Sequence, residues 1–467
     1  MNKMPLDIVI MAAGKGTRMK SATPKVLQQL AHQGLVQHVL DTAAQLQARK
    51  VVVITGHGAE QVEATLAQAD DAAPHREFVR QMPQLGTGHA VQQALPVLDD
   101  EGVMVVLSGD VPLTEADTIR QLLEVCNGDA LALLTLTMDN PFGYGRVLRN
   151  PDGEVNRIVE QKDGKPQELL VKEIYSGIMA APTRLMRQWL GRIDNHNAQQ
   201  EYYLTDVVKL AVADGVPVKA HLIHDAVQVA GVNSPLQLAE LEREYQQRQA
   251  RRLMAEGVRL RDPARFDVRG TLQCGQDVDI DVGCVFEGQV TLGHRVKIGA
   301  HCVLANCTIG DDVVISPFTH IDGGKQPVQV GAGSLIGPFA RLRPGAALAE
   351  EVHIGNFVEV KNSVMAKGSK ANHLAYLGDA DVGERVNYGA GSITANYDGA
   401  NKHRTVIEAD VHIGSNSVLV APVTIGAGGT VGAGSAIGKD TPPNALSVVR
   451  GRLTQKENYT RPAKIRK

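Results

Sequence analysis

The sequence predicts two folds in one chain: a doubly wound, mostly parallel α/β sheet over the first half and a parallel β-helix over the last third. Two periodicities carry this reading. Up to about residue 233, apolar runs of strand length alternate with stretches of helical spacing, the pattern of parallel strands joined through helices. From about residue 278 to 438 an apolar residue returns every six positions, as at Ile280, Phe286, Leu292, Ile298 and Leu304. It runs unbroken from Val330 through Ile336, Leu342, Leu348, Ile354 and Val360, and resumes from Ile407 through Ile413, Leu419, Ile425, Val431 and Ile437. Each short strand of a β-helix points one side chain inward before the chain turns a corner, and three hexads make one coil of about 18 residues.

Composition narrows the classes. At 467 residues the chain exceeds one ordinary domain. A net charge of −3 gives no overall basic surface for nucleic acid. No run approaches a membrane span or a signal-peptide core, so a cytosolic location is expected. Five Cys without a Cys-x-x-Cys pair carry no zinc or redox motif. Cys284, Cys302 and Cys307 fall at or beside inward hexad positions and are expected to fill core.

In chain order, residues 7–13, 51–54, 103–107 and 131–137 read as buried strands, and 36–47 and 60–69 as helices. Three of the strands run into polar, Gly-bearing loops, and ligands of such sheets sit beyond the carboxyl ends of the strands. Ser234-Pro235 starts a helix with an N-cap residue and Pro in the first turn. Its stripe is Leu238, Leu241 and Tyr245, and Gly257 is its stop. The expected domains are 1–233, a linker helix at 234–257, the β-helix at 258–440 and a basic tail at 441–467. From Arg450 the tail carries Arg452, Lys456, Arg461, Lys464, Arg466 and Lys467 against Glu457. Such a run is either a solvated end or a segment that meets an anion.

The loop Gly14-Lys15-Gly16-Thr17-Arg18 lacks Walker A spacing, and Met19 replaces the third Gly of a dinucleotide fingerprint. Its place after a buried strand is more informative. Glycines there let backbone N–H groups approach phosphate oxygens, while Lys15, Arg18 and Lys25 add positive charge. Asp110, closing the strand 103–107, is a candidate Mg2+ ligand, because Mg2+ prefers few carboxylates plus phosphate oxygens. Gln84-Leu85-Gly86-Thr87-Gly88-His89-Ala90 reads as a small-residue loop able to meet a base edge.

A second constellation lies where the hexads fail. Val360 and Ile407 are 47 residues apart, not a multiple of six, and Asn372, His373, Tyr376, Asn387, Asn396 and Tyr397 lie between them. Interruptions of repeats carry binding surfaces. Arg343 and Lys361 both follow an inward aliphatic where Gly is usual, 18 residues apart. They should stack on one corner, about 4.8 Å apart. Like charges so stacked call for an anion such as a sugar phosphate. His373 is then the candidate general base for attack of an amine on a thioester.

At this point a family resemblance becomes specific. Ala12-Ala-Gly-Lys-Gly-Thr-Arg18, Pro24-Lys25, Gln84-Leu-Gly-Thr-Gly-His89, Gly109-Asp110-Val-Pro112, Gly143-Tyr-Gly-Arg146, Ile158-Val-Glu160 and Gly231-Val-Asn233 resemble one bacterial enzyme family. It is the bifunctional N-acetylglucosamine-1-phosphate uridylyltransferase/glucosamine-1-phosphate acetyltransferase family, and the likeness covers essentially the whole chain. It implies a Rossmann-like nucleotidyltransferase domain followed by a left-handed β-helix. It also implies two reactions of cell-envelope precursor synthesis: acetyl transfer from acetyl-CoA to glucosamine 1-phosphate, then attack of N-acetylglucosamine 1-phosphate on UTP.

By the same likeness Met11, Ala12, Ala13, Gly14 and Lys25 hold the nucleotide, and Arg18 faces the leaving pyrophosphate. Gln81, Gly86 and Thr87 hold the uracil. Ser108, Gly109 and Asp110 meet ribose and metal, with Asp110 and Asn233 ligating Mg2+. Gly145 and Glu160 contact the sugar. Tyr175, in Glu173-Ile-Tyr175-Ser-Gly177, stands where the family usually has Asn, so its contact to the sugar is a departure. In the repeat, Arg343, Lys361, Tyr376 and Asn387 match sugar-phosphate contacts, and His373 matches the proton acceptor. Ala390, Asn396, Tyr397, Ser415, Ala433 and Arg450 match the acetyl-CoA site. That site lies in a groove between neighbouring prisms, which implies a homotrimer.

Two other classes are open to this domain pairing. One is a single-activity nucleotidyltransferase whose β-helix is only a scaffold, as in ADP-glucose pyrophosphorylases. The other is a non-catalytic exchange subunit of a translation factor. His373, Arg343 and Lys361 argue against the first, and Gly14–Arg18, Lys25 and Asp110 against the second.

Overall fold

The computed structural model describes residues 4–67, 76–451 and 453–461. Arg452, Lys464, Arg466 and Lys467 of the basic tail, and the end of the helix expected at 60–69, lie outside the described residues. The chain divides into two compact units, Met1–Tyr245 and Gln246–Lys467. The division falls inside the helix Pro235–Ala255.

The first unit is built on a nine-stranded sheet. Its main path runs Val218–Ile223, Leu131–Thr137, Glu173–Pro182, Val103–Ser108, Leu6–Met11, Lys50–Thr55, Arg76–Arg80. Only Glu173–Pro182 runs antiparallel to its neighbours along this path. The inner strands are largely apolar because both faces are covered. Ile8, Ile10, Val51 and Val53 pack into the core on one face, and Val9, Val52 and Ile54 into the core on the other. A hairpin of Gly145–Arg149 and Val155–Val159 pairs with Glu173–Pro182 beyond the end of Val103–Ser108. The helix Pro235–Ala255 starts as expected, with Gln237 N donating to Ser234 Oγ at 3.3 Å, and Leu241 is buried with Leu238 and Tyr245 beside it.

The stretch expected as a loop from Gln84 to Ala90 is a loop only as far as Gly86; Thr87–Ala94 is a helix. Gly86 makes the break. Its φ is 111°, and a Cβ there would lie 2.6 Å from the Tyr202 carbonyl oxygen, so no other residue fits the close approach. Glycines at 86 and 88 hide the helix from a propensity reading.

In the second unit, strands of mostly two or three residues stack in parallel into two ladders. One holds eleven strands from Arg259–Leu260 to Leu446–Ser447, and the other sixteen, doubling back through Val303–Ile309. The inward hexad residues form one continuous core from Phe266 to Ile437. Cys284, Cys302 and Cys307 are free and buried in it, as expected. Burial pushes their thiols up, to about 11 for Cys284 and about 12 for Cys302 and Cys307.

The interruption read between Val360 and Ile407 is corrected here: the β-helix does not stop. Met365, Ala371, Leu377, Val382 and Tyr388 are buried inward positions within it. Met365 follows Val360, and Val382 follows Leu377, on rungs of five residues. After Thr394 the chain leaves the prism in a loop at 396–404 and returns at Thr405–Ile407. Short rungs, one looped rung and inward residues other than the usual Val, Ile or Leu (Ala371, Tyr388) disguise a continuous helix as a gap.

One corner of the prism repeats a left-handed residue on each coil: His301, Phe318, Phe339, Phe357 and Leu374 all have φ between 50° and 60°. Parallel in-register coils stack their rings. Centroids are 5.3 Å apart for His301–Phe318, 5.1 Å for Phe318–Phe339 and 5.3 Å for Phe339–Phe357. The three Phe rings are about half exposed, an uncovered apolar ladder.

Candidate active sites

The carboxyl ends of Leu6–Met11 and Val103–Ser108 open into a cleft of about 410 Å³. It gathers Met11, Ala12, Ala13, Gly14, Lys25, Gln81, Gly86, Thr87, Ser108 and Asp110. The expected nucleotide residues therefore converge from five separate segments. Gly16, at φ 58°, closes the first loop against Lys25; a Cβ there would lie 2.6 Å from the Lys25 Cβ. Gln81 is buried and donates through Nε2 to the Gly86 carbonyl at 2.8 Å. Thr87 Oγ1 accepts from Leu204 N at 3.0 Å. Gln84, the first residue of the loop read from the sequence, lines the cleft, and its Nε2 donates to the Ala13 carbonyl, tying two loops together. Arg18 stands exposed on the short turn Thr17–Met19 and does not line the cleft.

Lys25 Nζ donates to Asp110 Oδ2 and, at 3.2 Å, to Asn233 Oδ1. Residues far apart in sequence thus aim two oxygens at one cation. A carboxylate and an amide oxygen are hard ligands of the kind Mg2+ accepts when phosphate oxygens complete its shell. Among the described residues no group of three or more His, Cys, Asp and Glu could cage a metal.

Beyond this cleft, Gly145 lies beside Glu160; a Cβ at Gly145 would be 3.6 Å from Glu160 Oε1. Glu160 Oε1 accepts from Thr205 Oγ1 at 2.9 Å. Burial raises its carboxyl above the usual range, opposed by the Thr205 bond and helped by Asp163, Asp206 and Glu201. Tyr175 is buried, and its hydroxyl has no hydrogen-bond partner. Thr205 has no signal in the sequence, since nothing marks a Thr before a helix as the partner of a Glu 45 residues earlier.

The second cluster sits on the β-helix. Arg341–Leu342 pairs in register with Glu359–Lys361, and Arg343 N donates to the Val360 carbonyl at 2.9 Å. Arg343 and Lys361 therefore stack one coil apart, as the register predicts. Glu359 accepts from Arg343 Nη1 at 2.6 Å. Lys402, from the loop at 396–404, joins them. Its contact, then burial and Arg343, push the Lys361 ammonium below the usual lysine range, with Asp379 opposing. Lys361 pairs with Gly378, whose missing side chain leaves room for the Tyr376 hydroxyl.

His373 is exposed, one corner away from Tyr376. It pairs with Asn356 on the preceding coil, and Nδ1 lies 2.9 Å from Asn356 Oδ1. An amide oxygen only accepts, so Nδ1 carries the proton and Nε2 keeps its lone pair. The same edge continues through Ala390, Ser415 and Ala433. Gly391 N donates to His373 O at 3.3 Å, Asn416 N to Ala390 O at 2.7 Å, and Gly434 N to Ser415 O at 2.8 Å. Arg450 reaches the Ala433 carbonyl. Five coils spaced by about 4.8 Å make a file roughly 19 Å long from His373 to Arg450, suited to an extended ligand. Asn396 bonds to Asp379, and Tyr397, exposed, pairs across the loop with Lys402. Asn387 lies exposed on the strand that pairs with Lys370–His373.

An α/β nucleotide cleft followed by a hexapeptide-repeat prism with its own polar cluster defines a two-domain transferase. The MobA-like NTP transferase domain family matches residues 8–257, and the bacterial transferase hexapeptide family (six repeats) matches residues 404–439. The chain is 68% identical over 99% of both chains to "Bifunctional protein GlmU" of Polaromonas sp. (strain JS666). It is 66% identical, again over 99% of both, to that of Paracidovorax citrulli. The protein of the same name from Burkholderia vietnamiensis is 54% identical over 98% of this chain. The chain belongs to the bifunctional GlmU family. It is a uridylyltransferase in its N-terminal half and an acetyltransferase in its hexapeptide-repeat half.

Proposed function

We propose the following division of labour. In the β-helix, Arg343, Lys361, Lys402, Tyr376 and Asn387 hold the phosphate and hydroxyls of glucosamine 1-phosphate. His373, with its Nε2 lone pair set by Asn356, takes the proton that the amine must lose as it attacks the thioester of acetyl-CoA. Acetyl-CoA lies along the file Ala390, Ser415, Ala433, Arg450, with Asn396 and Tyr397 at its side. In the α/β unit, the phosphate of N-acetylglucosamine 1-phosphate attacks the α-phosphorus of UTP and pyrophosphate leaves. Met11 to Gly14 and Lys25 hold the nucleotide, Gln81, Gly86 and Thr87 the uracil, Ser108 and Gly109 the ribose, and Gly145, Glu160 and Tyr175 the sugar. Arg18 swings its charge toward the departing pyrophosphate. Mg2+ on Asp110 and Asn233 would neutralise phosphate charge when bound. Positioning and charge carry the remainder.

The observation that supports this reading most directly is the meeting of three cations, Arg343, Lys361 and Lys402, one corner from a histidine with a defined tautomer. Its test is order. With glucosamine 1-phosphate and acetyl-CoA alone, free CoA and N-acetylglucosamine 1-phosphate accumulate without UTP. Acetylation that required UTP, or acted only on a nucleotide-linked sugar, would sink the reading. Lys402→Ala raises the KM for glucosamine 1-phosphate by about 10-fold, the scale of a lost charge-assisted hydrogen bond. The KM for acetyl-CoA stays unchanged, as steady-state CoA release will show.

The working form is a cytoplasmic homotrimer. The phenylalanine ladder lies on the same edge as His373 and the file for acetyl-CoA, so a second copy that covers the rings also walls the groove. Among the described residues no helix is long and apolar enough to cross a membrane. A charge in the ladder, Phe339→Asp, is expected to give monomers by light scattering and to lose acetyl transfer while retaining uridylyl transfer. A trimer unaffected by this change would place the interface elsewhere.

A further inference from the structure

We propose that Asp379 is a positioning residue of the acetyl site: it holds the loop at 396–404 by both of its ends and so sets Lys402 against the sugar phosphate. This rests on the reading that Lys402 binds that phosphate. Register places Asp379. It lies 17 residues after Asn362 and 17 before Asn396, so the three stack in one column on successive coils. Asn362 and Asp379 are both left-handed, at φ 44° and 51°. Asp379 N donates to the Lys361 carbonyl at 3.1 Å, one coil above that lysine. On the next coil the corner opens into the loop. The chain leaves at Asn396, whose Nδ2 donates to Asp379 Oδ2. It returns at Thr405, whose N donates to the Asp379 carbonyl at 3.1 Å. The other carboxylate oxygen, Oδ1, takes Asn362 Nδ2. Between the two ends His403 N donates to the Asn396 carbonyl at 2.8 Å, which closes the neck of the loop beside Lys402.

The chemistry follows from a carboxylate in an expensive place. Asp379 is only 7% exposed. Burying a charge is costly, and an apolar side chain would pack this corner at less cost. The carboxylate supplies two acceptor oxygens, one for each neighbouring amide. It also supplies a countercharge. The contact with Lys402, then burial and Arg343, lower the Lys361 ammonium, and Asp379 opposes that fall. A loop that ordered only when substrate bound would weaken affinity by its ordering entropy, and a loop already pinned at both ends avoids that loss. The rival explanation is a column that merely braces the prism. Its removal would lower stability without acting through Lys402.

The test uses the full chain and the variants Asp379→Ala, Asp379→Asn, Lys402→Ala and the Asp379→Ala/Lys402→Ala pair. Asp379→Ala is expected to raise the KM for glucosamine 1-phosphate about 10-fold, the scale of Lys402→Ala, with uridylyl transfer unchanged. In the double variant the two effects should not multiply, and its KM stays within about threefold of that of Lys402→Ala alone, because the first residue acts through the second. Asp379→Asn keeps the shape and bonds both neighbours once one amide turns over, so its KM should return to within about threefold of wild type. Should the Ala protein fail to fold, Asp379→Leu, which fills the corner but accepts no bond, carries the same expectation. Losses that multiply to about 100-fold in the double variant overturn the proposal, as does a wild-type KM in Asp379→Ala or an Asn variant no better than Ala. A KM unmoved by Lys402→Ala would instead overturn the reading that Lys402 binds the sugar phosphate.

Discussion

His373→Ala is expected to lower acetyl transfer by about 10²- to 10⁴-fold, the range of a lost general base, and to leave uridylyl transfer from UTP near its wild-type rate. The side chain is exposed and projects from a corner of the prism, so its removal leaves no cavity and no orphaned buried group. The deficit is therefore chemical rather than structural. The amine of the sugar phosphate must lose a proton to form the amide, and Nε2 is the free lone pair once Nδ1 is committed to Asn356. Asn356→Ala should give a smaller loss in the same activity, because the ring remains but loses the contact that orients it. CoA release measured by thiol titration and pyrophosphate release measured with a coupled phosphatase separate the two activities. A His373→Ala protein that acetylates at more than a tenth of the wild-type rate would remove His373 as the base.

Asp110→Ala should do the reverse, lowering uridylyl transfer by roughly 10³-fold, the scale of several kcal/mol of charge stabilisation. Acetyl transfer should be intact. Asp110 holds Lys25, and Lys25 reaches Asn233, so the change removes one of the two oxygens proposed to ligate Mg2+ and also releases an ammonium that lines the cleft. The variant should need far more Mg2+ for whatever rate remains. Equal rates with and without added Mg2+, in wild type and variant alike, would take the metal role from Asp110.

Register is why much of the second site is legible in the sequence. Arg343 and Lys361 meet because a count of 18 residues stacks them whatever else the chain does. Lys402 is not legible. It comes to them on a loop whose return depends on Asp398 taking bonds from Ala400 N, Asn401 N and His403, and no periodicity reports that. Asn356 is hidden for a related reason. It lies 17 residues before His373, and the shortened rung at Val360–Met365 shifts it out of the count. In the first unit the strand ends announce Met11 to Gly14, Ser108 and Asp110, since apolar runs give way there to Gly-bearing loops. The hairpin Gly145–Val159 is less apolar and carries charged residues along both strands, so only the likeness to a known family points to Gly145 and Glu160. Tyr175 stands out in the sequence as a departure from that family, but its unpartnered hydroxyl belongs to the packed sheet and to no sequence pattern.

The claim that two separate sites act in succession within one chain is tested most directly by following UDP-N-acetylglucosamine formation in the His373→Ala protein. From N-acetylglucosamine 1-phosphate and UTP the product should form at the wild-type rate. From glucosamine 1-phosphate, acetyl-CoA and UTP the product should form at least about 100-fold more slowly until the Asp110→Ala protein is added, which supplies the acetylated intermediate through solution. Failure of folded His373→Ala protein with the acetylated sugar phosphate would contradict two independent sites.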